Sequence, residues 1–83
     1  MTRPEWAFTA YFQATRQRPD RAAIDLQWIV RTAAAPEHER AQDDGRLRRW
    51  RRIPEAGDRW LRVVLLDDAR TIHNAFFDRG FDP

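Results

Sequence analysis

The hydrophobic pattern is strongest between residues 59 and 77, where two apolar segments flank a short polar one. Residues 60–66 are mostly aromatic, aliphatic or β-branched, which is typical of a largely buried strand. Residues 67–70 are mainly polar and interrupt this run, and residues 71–77 resemble a second strand. The pattern therefore predicts an antiparallel hairpin, around which the rest of the chain is organised.

A two-residue turn at positions 68 and 69 fixes which residues of this hairpin face each other. The resulting register pairs Leu66 with Thr71, Val64 with His73, Arg62 with Ala75, and Trp60 with Phe77. Side chains alternate along a strand, so one face carries the apolar set Leu61, Val63, Leu65, Ile72 and Phe76. The opposite face brings Arg62 and His73 together, flanked by Trp60 and Phe77. We expect the first face to join the core and the second to carry the function.

Two helices are predicted before the sheet. Aromatic residues near helical spacing indicate the first, with Thr9 as the cap of a helix that begins at Ala10. Residues 5–8 either join this helix or form a short edge strand. The helix ends before Pro19, because a residue that precedes proline avoids helical geometry.

The second helix starts at Asp20 or Asp25 and ends before Pro36. Its apolar stripe consists of Ile24, Trp28 and Ile29, with Leu26 nearby. Both helices thus lie in the first half of the chain.

The segments after the helices alternate between strands and turns. Residues 37–42 form a weak, charged strand candidate for a sheet edge, followed by a turn at 43–45. Residues 46–53 form the next strand, and the turn at 54–58 leads into the hairpin. The prediction is an α+β fold in which two N-terminal helices pack on an antiparallel meander of three or four strands, as a single domain over residues 1–83.

Centring the second turn on Ala56 extends the register to the strand before it. Ile53 then pairs with Arg59, Arg51 with Leu61, and Trp50 with Arg62. Arg46, Arg48, Trp50 and Arg52 consequently join the face of Arg62 and His73. Arg49 and Arg51 fall on the core side, which requires either that they extend past the helix edges or that a bulge shifts the register.

Composition limits the chemistry that this face can perform. The chain of 83 residues has no cysteine and two histidines, so disulfides and thiolate zinc sites are excluded, and we expect no metal and no cofactor. No apolar run is long enough to cross a bilayer and no signal-peptide pattern is present, so the expected location is cytoplasmic, without membrane contact. The net charge is only +2, but all 15 basic residues are arginines, and five of them fall between positions 46 and 52.

Two residues of the hairpin are candidates for catalysis. Arg62 lies between apolar neighbours and needs a partner, because an unpaired buried charge is costly. It either forms a salt bridge with Asp67, Asp78 or an acid of the second helix, or it stabilises charge on a phosphate. His73 is either a structural residue or a general acid or base, since its pKa lies near neutral pH without special tuning.

The arginines around Trp50 are typical of a basic patch with an aromatic platform, in which arginine contacts phosphates and the indole stacks on a base. A solvated strand with Trp50 packed on Trp60 is the alternative. Asp78-Arg79 after the last strand is either an internal ion pair or a second pair of site residues. Tyr11 is most simply a core or rim aromatic.

Two motifs lie in the predicted hairpin, Leu61-Arg62-Val63-Val64 and Ala75-Phe76-Phe77, and the segments YFQATRQRPDRAAIDLQWI and GRLRRW precede them. In these segments the chain resembles a group of small bacterial proteins of the DUF4258 type, which are similar to RelE/ParE-like toxins. The resemblance implies helices followed by a curved antiparallel sheet, a RelE/barnase-like fold. It also implies a small antitoxin as partner. DUF4258-type chains often carry a histidine after a threonine in the first helix, where this chain has Tyr11 after Thr9; tyrosine also serves RNA cleavage in RelE-like enzymes.

The preferred interpretation is therefore a toxin-type, metal-independent endoribonuclease that cleaves RNA at a 2′-hydroxyl and the adjacent phosphate. Its expected catalytic residues are His73, Arg62 and Tyr11, and its expected RNA-binding residues are Arg46, Arg48, Trp50, Arg52 and Arg79. The alternative is a non-catalytic module that binds protein or nucleic acid with the same face.

Overall fold

Three helices and a five-stranded mixed sheet make up the computed structural model, which describes residues 6–83. The helices are α1 (Ala10–Thr15), α2 (Pro19–Ala22) and α3 (Leu26–Ala34). The strands are β1 (Ala7–Phe8), β2 (His38–Ala41), β3 (Leu47–Ile53), β4 (Arg59–Leu65) and β5 (Thr71–Phe77). The predicted α+β class is confirmed, but the described residues contain a third helix and a fifth strand, where two helices and three or four strands were predicted.

The sheet has the order β1-β5-β4-β3-β2. Strands β2 to β5 form an antiparallel meander, and β2 lies at the edge, as predicted for residues 37–42. The expectation of a purely antiparallel sheet is wrong, because β1 pairs in parallel with the start of β5. Of the segment 5–8, which the sequence left open between helix and edge strand, residues 7–8 form that strand and Glu5 lies outside the described residues.

Local capping explains where the helices begin. The Thr9 hydroxyl accepts a hydrogen bond from the Phe12 amide at 3.0 Å, which satisfies one free donor at the start of α1. The Asp25 carboxylate caps α3 in the same way by accepting from the Gln27 amide at 2.8 Å. Of the two predicted starts of the second helix, Asp25 caps α3, whereas the short α2 begins at Pro19, one residue before Asp20.

Helices α1 and α3 pack on one side of the sheet, which we call the inner face. Its core contains Phe12, Ile24, Ile29, Ala33, Ile53, Leu61, Val63, Leu65, Ile72 and Ala75. Each fully buried aliphatic side chain of this kind contributes about 1.5–3 kcal/mol to stability. The opposite side of β2–β4, which we call the outer face, carries Arg40, Arg48, Trp50, Arg52, Trp60 and Arg62.

The predicted register between β3 and β4 is confirmed: Ile53 pairs with Arg59, Arg51 with Leu61, and Trp50 with Arg62. Arg49 and Arg51 do fall on the inner side, and they extend to the end of α3 rather than into the core. Arg49 donates to the Ala33 carbonyl at 2.6 Å and Arg51 to the Ala35 carbonyl at 2.7 Å. Cations near a helix C-terminus satisfy its free carbonyls and favour its dipole, so the two arginines tie α3 to the sheet.

The predicted register between β4 and β5 holds only beside the turn, where the Leu66 amide donates to the Thr71 carbonyl at 2.9 Å. Beyond Leu65–Ile72 a β-bulge shifts the pairing by one residue, so that Val64 pairs with Asn74, Arg62 with Phe76, and Leu61 with Phe77. The predicted pairs of Val64, Arg62 and Trp60 are therefore wrong. The shift also moves Phe76 out of the predicted core face to the side of Arg62, and it turns Phe77 toward Trp28 on α3.

Candidate functional site

Arg62 is held by a structural ion pair with Asp78, the residue that follows β5. Its Nε and one Nη donate to Oδ2 of Asp78 at 3.0 and 2.7 Å, and Nε1 of Trp50 donates to the same oxygen at 3.0 Å. The Asp78 side chain is 11% exposed and that of Arg62 is 23% exposed. This matches the structural alternative for Arg62, with Asp78 as the partner among the acids considered.

The charges of this pair are balanced within the fold. Burial acts to raise the pKa of Asp78, but hydrogen bonds from Trp50 and Arg62, together with the positive charge of Arg62, outweigh it and lower that pKa below its usual value. Asp78 is therefore ionised at neutral pH and neutralises Arg62. An arginine engaged in this way is poorly placed to act as a phosphate clamp.

His73 is the extra residue of the β-bulge, since its neighbours Ile72 and Asn74 pair with Leu65 and Val64. Bulges redirect a side chain out of the regular alternation and are enriched near active sites. Here the imidazole stacks on the ring of Tyr11 with centroids 4.9 Å apart, and its Nδ1 lies 3.1 Å from the Thr9 hydroxyl. The bulge thus places His73 where β5 meets the start of α1.

Thr9 can orient the imidazole in both of its protonation states. Its hydroxyl oxygen accepts a hydrogen bond from the Phe12 amide with one lone pair, and its second lone pair can accept one from Nδ1 of His73. Nδ1–H donates to this oxygen both in the charged imidazole and in the neutral tautomer that carries its proton on Nδ1. In that neutral tautomer Nε2 is unprotonated, so Nε2 is the nitrogen that can accept a proton from a substrate.

The pKa of His73 is lowered from its ordinary value, first by burial and second by the positive charge of Arg46. Arg46 precedes β3 and lies 3.6 Å from the Asp44 carboxylate. A lowered pKa keeps His73 neutral near pH 7, which is the form that accepts a proton. It also means that the contribution of His73 to stability is present above about pH 6.5 and is lost as the pH falls through the lowered pKa.

We expect an NMR titration of the His73 imidazole to give a pKa below 6.5, and Arg46→Gln to raise this pKa while leaving it below the unfolded value. The charge of Arg46 is removed by the substitution, whereas the burial remains. The matched control is Arg31→Gln, which removes an equal charge on α3. An unchanged His73 pKa in Arg46→Gln would show that Arg46 does not act on the imidazole.

Arg40 and Arg48 face each other directly on β2 and β3. Like charges at opposed positions destabilise a sheet, and no acid bridges this pair in the described residues. The Nε of Arg48 is buried and has no hydrogen-bond partner, and both side chains line an open cleft of about 430 Å³ with Gln42, Asp43 and Asp44. Unpaired buried donors are rare in folded proteins, and a water molecule or another acceptor in the cleft would satisfy this nitrogen.

An aromatic cluster occupies the rest of the outer face. Trp50 is 1% exposed, because Phe81 stacks on it with ring centroids 4.4 Å apart and planes 14° apart. Arg62 and Arg40 lie over the Trp50 ring at 5.4 Å, and Arg52 lies over the Trp60 ring at 4.8 Å. Trp50 is therefore packed inside the fold rather than open as a stacking platform, and Phe81 covers it rather than Trp60.

The predicted site residues divide into two groups. Arg62 binds Asp78, whereas His73 contacts Thr9 and Tyr11, and the described contacts of the two side chains share no partner. Arg79 is exposed and forms no ion pair with Asp78; it lines a cleft of about 330 Å³ with Arg21, Arg59 and Phe77. Tyr11 is 51% exposed beside His73, as a rim aromatic.

Sequence reasoning missed the roles of Thr9 and Phe81. Thr9 was assigned only as a helix cap, and nothing local signals that its hydroxyl also reaches His73, 64 positions further along the chain. Phe81 follows the last strand within a short polar segment, which gave no reason to place it on the sheet.

The sequence matches no protein-family model, and no curated protein or solved structure matches it. Within residues 6–83 no group of three or more histidine, aspartate or glutamate side chains is arranged to hold a metal ion. None of the described helices has the length and apolar character needed to traverse a bilayer.

Proposed function

We propose that this protein is a toxin-type, metal-independent endoribonuclease that cleaves RNA at a 2′-hydroxyl and the adjacent phosphate. The observation that carries the proposal is the setting of His73, whose ring is oriented by Thr9 and Tyr11 and whose pKa is lowered by burial and by the charge of Arg46. A histidine that stays neutral at pH 7 and leaves one nitrogen free is suited to general base catalysis. A small antitoxin as partner follows from the family resemblance.

In the proposed reaction, Nε2 of neutral His73 takes the proton of the 2′-hydroxyl, and the oxygen attacks the adjacent phosphorus. The bond from phosphorus to the 5′-oxygen breaks, which leaves a 2′,3′-cyclic phosphate, and the 5′-oxygen takes up a proton. Tyr11, half exposed and stacked on His73, is our candidate for the residue that supplies this proton.

The charge that develops on the phosphate needs a cation, and we assign this role to Arg46 and Arg48 rather than to Arg62. Arg62 is neutralised by Asp78, whereas Arg48 has a buried Nε without a partner and Arg46 acts on His73. Guanidinium groups bind phosphate oxygens with two parallel hydrogen bonds, so such a pair is suited to a phosphodiester.

A second candidate is a non-catalytic module that binds nucleic acid or protein with the outer face. The pairing of Arg62 with Asp78 favours it, because that pairing removes one of the two groups expected to perform chemistry. The two candidates differ in one result: the first requires RNA to be cut.

We expect the wild-type protein to cleave a mixed RNA pool in EDTA and to bind RNA less tightly as salt rises. Each neutralised phosphate of a single strand adds about −0.7 to the slope of log affinity against log salt. Arg46→Gln combined with Arg48→Gln should make the slope about 1.4 less negative and slow cleavage.

The matched control is Arg31→Gln, because Arg31 lies on α3 and pairs with the exposed Glu55, away from the outer face. It should leave both the slope and the cleavage rate unchanged. An unchanged salt dependence in the double variant would show that Arg46 and Arg48 do not contact RNA phosphates. RNA binding by the wild type without cleavage would favour the binding module.

A further inference from the structure

The side chain of Phe81 occupies a site on the outer face that fits a flat aromatic ring. Its ring is stacked on the indole of Trp50, with centroids 4.4 Å apart and planes only 14° apart. Near-parallel rings at this distance are the geometry in which aromatic side chains also hold nucleobases. The covered face of Trp50 is thus the surface that the sequence assigned to base stacking.

Other groups surround the Phe81 ring and complete the site. Trp60 meets it edge-on at 5.1 Å, and His38 lies at 5.4 Å. The guanidinium of Arg40 lies 5.5 Å from the ring centroid. These neighbours form an aromatic cradle with a cation at its rim, and such a cradle accepts any flat ring of similar size.

The backbone of the segment that carries Phe81 forms only local hydrogen bonds after Asp78, so the ring of Phe81 is its main contact with the sheet. Residues 78–83 form no helix or strand, and Gly80, Asp82 and Pro83 are exposed. After Asp78 the backbone bonds are local, from Gly80 to the Asp78 carboxylate at 3.1 Å and from Phe81 to the Asp78 carbonyl at 3.5 Å. Phe81 can therefore leave the cradle while the Asp78–Arg62 pair stays in place.

We infer that the Phe81 position is a nucleobase-binding site for single-stranded RNA, and that Phe81 is a plug which the incoming base displaces. This inference rests on the proposed function, since it assigns a base of the same RNA to the outer face. The cations around the cradle supply complementary charge, because Arg40 and Arg52 lie over its rings. A base stacked on Trp50 would have its flanking phosphates near these side chains.

Occupancy by Phe81 reduces the apparent affinity for RNA. If the cradle is open for only a fraction of the time, the apparent dissociation constant is the intrinsic one divided by that fraction. Removing the plug should consequently tighten RNA binding, whereas removing an ordinary packing residue weakens it or leaves it unchanged. An increase in RNA affinity would thus indicate a plug, and a decrease or no change would indicate an ordinary packing residue.

The test is anisotropy binding of a short 2′-O-methyl RNA, which cannot be cut through its 2′-position, to wild type and Phe81→Ala. We expect Phe81→Ala to bind about three- to tenfold more tightly, the gain expected when the open fraction rises from a minor to the major population. Phe81→Trp should bind more weakly, because a larger ring stacks better on Trp50. Leu26→Ala, which shortens an exposed apolar side chain on α3, is the control and should not change the affinity.

A measurement on the wild type makes the test independent of variant folding. Saturating the protein with the oligonucleotide should abolish the NMR contacts between the Phe81 and Trp50 rings. Unchanged contacts, or weaker binding by a folded Phe81→Ala, would overturn the inference. Tighter binding by Phe81→Ala without cleavage by the wild type would support the base-binding site and refute the ribonuclease. Cleavage by the wild type with weaker binding by Phe81→Ala would support the ribonuclease and refute the base-binding site.

Discussion

Replacing His73 by alanine is expected to lower the rate of RNA cleavage at least about a hundredfold, the typical contribution of a general base. The protein should stay folded, because His73 is only partly buried and its contacts are one hydrogen bond and one ring stack. His73→Asn should be equally inactive, since the amide can keep the contact with Thr9 but cannot exchange a proton at Nε2. The measurement is cleavage of a mixed RNA pool in EDTA, with thermal melts of each variant.

The substrate offers a control for the same reaction. A 2′-deoxy oligonucleotide of equal sequence should bind but resist cleavage, because it lacks the attacking hydroxyl. Cleavage at the wild-type rate by folded His73→Ala would exclude His73 as the catalyst. Loss of activity when EDTA is added to the wild type would mean that a metal ion takes part in the reaction.

Asp78→Ala is expected to cause the largest loss of stability among the outer-face variants. It leaves the Arg62 guanidinium and the Trp50 indole N–H without their acceptor in a partly buried setting. Removing one partner of a buried ion pair costs about 3–5 kcal/mol, and partial exposure of Arg62 reduces this to about 2–4 kcal/mol. For a chain of this size the melting temperature should fall by roughly 10–25 °C.

Two comparisons test the cause of this loss. Asp78→Asn keeps an acceptor and should be destabilised less than Asp78→Ala, whereas Glu55→Gln, at the exposed pair with Arg31, should change the melting temperature little. The lowered pKa of Asp78 implies that its contribution is present above about pH 3.8 and is lost as the pH falls through the lowered pKa. An Asp78→Ala protein as stable as the wild type would show that Arg62 finds another partner.

The features that the sequence predicted correctly depend on local signals. The turn at Asp43-Asp44-Gly45 could be predicted because tight turns require a positive φ, which glycine adopts without strain. In the structure Gly45 has a φ of +90°. The turn at 54–58 fixed the β3–β4 register for the same reason, since Gly57 adopts a φ of +72°. Thr9 and Asp25 marked helix starts because capping involves neighbours in the chain.

The β-bulge in β5 was not predicted, because it results from packing rather than from local preference. An unbroken alternation from Ile72 would have placed the polar side chain of Asn74 in the core. This unfavourable position was the one sign in the sequence that the alternation is interrupted. With His73 as an extra residue, Ala75 and Phe77 point to the inner face and Asn74 instead accepts a hydrogen bond from Arg21 at 2.7 Å. The predicted proximity of Arg62 and His73 depended on the unshifted register, and the described contacts of the two side chains share no partner.

The partner of Arg62 was only partly predictable. Asp67, Asp78 and the acids of the second helix were equally acceptable by charge, and the choice depends on the geometry at the end of β5. The Asp78 amide donates to the Trp60 carbonyl at 2.9 Å, which continues the β4–β5 ladder by one bond and brings the carboxylate beside Arg62. Such long-range placement cannot be deduced from the composition of either strand.

The parallel pairing of β1 with β5 bears on the order in which the chain folds. The meander from β2 to β5 is joined by short turns and can form from neighbouring segments, whereas Thr9 and His73 are separated by 64 positions. Closing so long a loop has a large entropic cost, and contacts of high sequence separation tend to form late. We therefore expect Thr9 and Tyr11 to reach His73 near the end of folding, after β5 has paired with β4.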